Sequence, residues 1–112
     1  MNLSQYFGPD WNIPGFSIDG QRYYPGVMVR GQLGLRNSTT AIRSKVSQHN
    51  RILAWEKSIN QRRTIHMITF AGVIELIVHS STPEAKRIKS YLIDAIITQH
   101  VGEISMHDQQ QV

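Results

Sequence analysis

Residues 70–100, FAGVIELIVHSSTPEAKRIKSYLIDAIITQH, constrain this chain most, because they hold most of the apolar mass from which a core can be built. Phe70, Val73, Ile74, Ile77 and Val78 recur at the spacing that lines one helical face, so this face is expected to be buried. Ser80, Ser81, Thr82 and Pro83 then end one helix and open another. Proline at the first helical position gives up only an amide that would be unpaired anyway, and a preceding hydroxyl can cap. The second helix is expected to start at about Pro83, to bury Ala85, Ile88, Leu92, Ala95 and Ile96, and to stop at Gly102. Its polar face carries Lys86, Arg87, Ser90, Asp94 and Thr98.

That assignment leaves a surplus. Ile93 and Ile97 lie about 140° and 180° around the helix from Ile88, where a lone subunit would leave them in water. Two coverings are open: the aromatic N-terminal segment with Phe7 and Trp11, or a second copy of the chain in a two-fold dimer.

The remaining chain is short. A length of 112 residues fits one domain with one modest core. Residues 1–15 place Gly8, Pro9, Pro14 and Gly15 among Tyr6, Phe7 and Trp11, which predicts a loop laid against the core rather than a helix. Asp19-Gly20 supplies the positive φ angles of a tight turn between Phe16, Ile18 and Tyr23, so a hairpin is expected over about 16–25. Pro25 ends it and opens a short helix to about Leu33. The reading is a small single α+β domain: short β-hairpins, a helix-turn-helix-like pair and a C-terminal helical pair, with core 16–100 and tail 103–112.

Net charge is +4, and its distribution says more than its size. Between Gly20 and Arg63 stand Arg22, Arg30, Arg36, Arg43, Lys45, Arg51, Lys57, Arg62 and Arg63 against Glu56 alone, a window of +8. From Thr64 onward the balance is −2. A basic half on a nearly neutral support suits a polyanionic partner.

Within the basic window, Gly34 lets the chain leave the short helix in a left-handed conformation, and Asn37 or Ser38 can cap the next helix. A helix, a tight turn and a second helix follow, the outline of a helix-turn-helix. Ala41, Ile42 and Val46 would face the core. Arg36, Asn37, Thr39, Thr40, Arg43, Ser44 and Lys45 would then be the DNA-binding candidates, with arginine suited to guanine and hydroxyls to phosphates and thymine methyls. A solvated amphipathic helix fits the same residues.

Downstream, Ile52–Trp55 and Thr64–Ile68 read as two strands joined by the basic KSINQRR. Such a hairpin can lie along the phosphate backbone as a wing, with Lys57, Arg62 and Arg63 neutralising phosphates. An exposed turn that carries charge for solubility and edge protection fits equally.

Chemistry of other kinds finds little footing. There is no cysteine, the five histidines show no metal-ligand spacing, and Gly31 and Gly34 are not followed by the lysine of a phosphate-binding loop. No enzyme, cofactor or metal site is expected. The N-terminus lacks the pattern of a secretory signal and no window approaches the ~18 apolar residues of a membrane span, so a cytoplasmic protein is expected.

The run from Ile68 to Gln99, containing SSTPEAKRIKSYLIDAII, resembles the end of the Bro-N domain found in baculovirus Bro proteins and phage antirepressor-type proteins. FSIDGQRYYPG followed by QLGLRNSTTAIRSKV resembles that domain's opening, and together the matches cover roughly residues 16–100. The resemblance implies a DNA-binding viral or prophage regulator. Its alternative within the family is an antirepressor or inhibitor whose partner is a host or repressor protein.

Overall fold

The structure, a computed structural model, describes residues 3–36, 38–57 and 62–111, with side chains for all of these but Ser38, Glu56, Lys57, Arg62 and residues 101–111. Among the described residues the order is α1 (Ser4–Phe7), β1 (Phe16–Ile18), β2 (Gln21–Pro25), α2 (Gly26–Gln32), α3 (Ser38–Lys45), a 3-10 turn (Gln48–Asn50), β3 (Arg51–Lys57), β4 (Arg62–Ile68), α4 (Phe70–Val78) and α5 (Pro83–Gln111). The fold is α+β.

Local chemistry accounts for most of the boundaries. Asp19 and Gly20 take φ angles of 50° and 80°, so the β1–β2 turn is of the mirror-image kind that matches strand twist. Thr69 caps α4, its hydroxyl accepting from the Gly72 amide at 3.1 Å. Thr82 does the same for α5 through the Ala85 amide, one residue before Pro83.

The two hairpins are not separate. Tyr24 pairs with Ile68 and Pro25 with Met67, which joins them into one antiparallel sheet in the order β1-β2-β4-β3. This leaves β3 as an outer strand, paired from Arg51↔Ile68 to Lys57↔Arg62. The core gathers Val29 from α2 and Leu33 just after it, Ile42 from α3 and Val46 just after it, Ile68, then Val73, Leu76 and Ile77 from α4 and Ala85, Ile88 and Leu92 from α5.

Four expectations change. The N-terminal segment contains one helical turn, Ser4–Phe7, which places Phe7 4.7 Å from Trp11 and 5.7 Å from Phe70, ring centre to ring centre. The glycines and prolines all follow this turn, and the tilted aromatic contacts bury its last residue. On α4 the buried side is Gly72, Val73, Leu76 and Ile77, while Val78 is exposed and Phe70 and Ile74 are half-buried. Every residue of that helix but Glu75 is apolar or glycine, so periodicity could not orient it. Ile96, expected inside, is 57% exposed, since α1 is four residues long and α4 ends at Val78, leaving the later turns of α5 little to pack on. Lastly, α5 runs through Gly102 to Gln111. A glycine inside a helix costs only about 1 kcal/mol and no proline follows to enforce a stop.

Candidate nucleic-acid interface

The turn between α2 and α3 is built before any ligand is considered. Gly34 stands at φ 67°, and a Cβ there would collide with the Glu84 carboxylate. Leu35 donates its amide to the Arg30 carbonyl at 3.0 Å, and the Arg30 guanidinium donates to the carbonyls of Leu35 and Arg36 at 2.8 and 3.3 Å. Thr82, at the start of α5, donates its hydroxyl to the Leu33 carbonyl. Arg30 therefore holds the turn, and α5 fastens it to the scaffold.

The far end of α3 is anchored by Glu75. Its carboxylate accepts from the Ser47 amide (3.1 Å), the Ser47 hydroxyl and the Asn50 side-chain amide (2.6 Å). The Ser47 hydroxyl is the largest cause holding the carboxyl below its ordinary value; burial opposes it, and Asn50, the Ser47 amide and His49 reinforce it. A depressed folded pKa stabilises the fold above the unfolded carboxyl's value, ~4.3, and that gain is lost as pH falls through the folded value. The stability gap between wild type and Glu75→Gln, from urea melts, is thus expected to shrink between neutral pH and about pH 3. An equal gap at both ends would refute the assignment.

Between these anchors α3 buries Ile42, with Val46 buried just beyond its end, and presents Thr39, Thr40, Arg43 and Ser44 to solvent. Arg36 is exposed just before it, and Asn37 lies outside the described residues. The Ser44 hydroxyl donates back to the Thr40 carbonyl at 2.8 Å. Half-buried Lys45 lines, with Ser44, Glu75 and His79, a cleft of about 360 Å³. A second cleft, about 180 Å³, is lined by Val27, Thr39, Ile42 and Arg63–His66. Thr39 of α3 and Arg63 of β4 thus share one cleft, whereas Ser44 and Lys45 line the other. Lys57 and Arg62 form the last pair of the β3–β4 ladder, and their side chains lie outside the description, as does the intervening tip.

Three residues of this region escaped the sequence reading. His66 has its pKa lowered, first by burial and then by the charges of Arg43 and Arg51, which brings the imidazole into the same electrostatic neighbourhood as α3. Leu53 and Trp55 are 57% and 72% exposed. Ile52, Leu53, Ala54 and Trp55 are all apolar, so no alternation marks the open side, and only what packs against β3 decides which face is uncovered. Far from this region in sequence, Ile93 and Ile97 stay 47% and 53% exposed while Phe7 and Trp11 are buried in the core.

A family profile described as the BRO family, N-terminal domain, matches residues 12–98. The chain belongs to this family of Bro-type phage and viral proteins. Comparisons with curated proteins and with solved structures give no match. Among the described residues no helix is long and apolar enough to cross a membrane, and no group of three or more His, Asp or Glu side chains is placed to hold a metal ion.

Proposed function

We propose that the chain is a DNA-binding regulator of the viral or prophage type, gripping duplex DNA with α3 and the β3–β4 hairpin. The observation that carries this reading is the shared cleft of Thr39 and Arg63, beside an exposed Arg43, within the +8 window of the sequence. Arg43 addresses base edges, while Arg36, Thr39, Thr40 and the hairpin cations Lys57, Arg62 and Arg63 address phosphates. Titration of labelled duplex at two salt concentrations tests it. Four phosphate contacts would weaken binding roughly a hundredfold between about 50 and 200 mM salt. Binding that is absent, or indifferent to salt, removes the reading.

A second reading has a specific observation behind it: the uncovered Leu53 and Trp55 could receive a host or repressor protein, as an antirepressor or inhibitor would. Capture of a protein partner by a chain that fails to bind DNA would favour it.

Dimerisation belongs to the same proposal. Ile93, Ile96 and Ile97 are all close to half exposed on the protruding part of α5, and a two-fold axis would bury the same residues on each subunit while presenting two copies of α3 to a palindromic site. Sedimentation should show a dimer that Ile93→Glu with Ile97→Glu dissociates. A wild type that is monomeric at tens of micromolar rules the dimer out.

A further inference from the structure

Leu53 and Trp55 are unusual for where they stand. They are neighbours on one face of β3, an outer strand, a position that proteins ordinarily guard with charge, and they are among the large apolar side chains left exposed. Register puts Leu53 opposite His66 and Trp55 opposite Thr64, so these four share a face, with Arg51 next along β3. That face adjoins α3: Arg51 donates to the Val46 carbonyl at 3.2 Å, and the charges of Arg43 and Arg51 both bear on His66. The ionisable side chains described here are those of Arg43, Arg51 and His66, and Glu56, next to Trp55 along β3, has Arg63 as its cross-strand partner. A pair of apolar side chains flanked by the cations Arg43 and Arg51 is complementary to a polyanion that also has apolar surface. Nucleic acid is such a ligand, because its base faces are apolar and its phosphates are not.

We infer that Trp55, backed by Leu53, is a wedge that stacks between base steps of the duplex beside the segment held by α3, while Arg43 holds that segment. This rests on the DNA-binding reading and adds a contact of a different physical kind. Phosphate contacts release counterions and steepen the dependence on salt; a stacked indole releases none. An inserted side chain also unstacks the step and kinks the duplex.

Three readouts separate the wedge from its surroundings. The chain's other tryptophan, Trp11, is only 4% exposed, so acrylamide quenching of the emission reports chiefly on Trp55. Duplex DNA is expected to shield that emission. Trp55→Ala, whose folding a melt will verify, is expected to weaken binding roughly 10- to 100-fold at every salt concentration without changing the slope of affinity against salt. Trp55→Phe should recover most of the loss, and bending of circularly permuted fragments should diminish in the alanine variant. Arg63→Ala, by contrast, should reduce the slope by about one. Salt-dependent DNA binding with Trp55 still fully quenchable overturns the wedge and leaves the DNA-binding reading standing. A slope change in Trp55→Ala like that of Arg63→Ala overturns it too, and a chain that binds no DNA overturns both.

Discussion

Leu76→Ala is expected to lower the unfolding free energy by about 2–5 kcal/mol, the cost of deleting a fully buried leucine and keeping part of the cavity. Leu76 has no exposed surface and sits with Gly72, Val73 and Ile77 on the inner side of α4. Its room to relax is small, because a Cβ on Gly72 would already stand 2.8 Å from the Asn50 carbonyl oxygen, so backbone approaches this helix closely. Leu92→Ala, at 6% exposure, should cost a comparable amount. Ile74→Ala should cost less, as its side chain is only half-buried. Urea melts decide the order. A loss below about 1 kcal/mol at Leu76 would mean that α4 presents another face to the core.

Arg43→Ala is expected to remove about 1–3 kcal/mol of discrimination between the specific duplex and an unrelated one, as a lost base contact does. Arg63→Ala is expected to weaken both duplexes alike. The difference follows from position: Arg43 stands exposed one residue after buried Ile42 on α3, whereas Arg63 lies on the strand that borders the cleft beneath it. Competition binding with both duplexes at one salt concentration reads the contrast. If Arg43→Ala left a folded protein with both affinities intact, α3 would not be the reading element.

What could be read in advance was local. The Asp19-Gly20 turn, the left-handed Gly34 and the Thr82-Pro83 helix start each depend on the φ angle or hydrogen bond of a few consecutive residues, and each is in place. What could not be read was set by distant partners. The pairing of Tyr24 with Ile68 that merges two hairpins leaves no mark on either stretch alone. The inner face of α4 was hidden by its near-uniform apolarity, and the exposure of Trp55 depends on what packs against β3. The site was legible in the same measure. Residue type and helical spacing place Thr39 and Arg43 outward, but that Arg63 would share a cleft with Thr39, while Ser44 and Lys45 line a different one, is a matter of packing.

Because α5 is continuous from Pro83 to Gln111, its two ends are keyed to each other like cams on one shaft. Its first turn clasps the α2–α3 corner through Thr82 and Glu84, and its outer turns carry Ile93 and Ile97. A helix advances about 1.5 Å and rotates about 100° per residue, so the angular phase between the corner and the outer isoleucines is fixed by residue count alone. One residue inserted between Leu92 and Ile93 would swing the isoleucines a quarter-turn or more without touching α3. Anything that grips the outer turns therefore meets α3 at a single azimuth, and on the proposed DNA-binding reading the spacing on a bound operator would be a record of helix length.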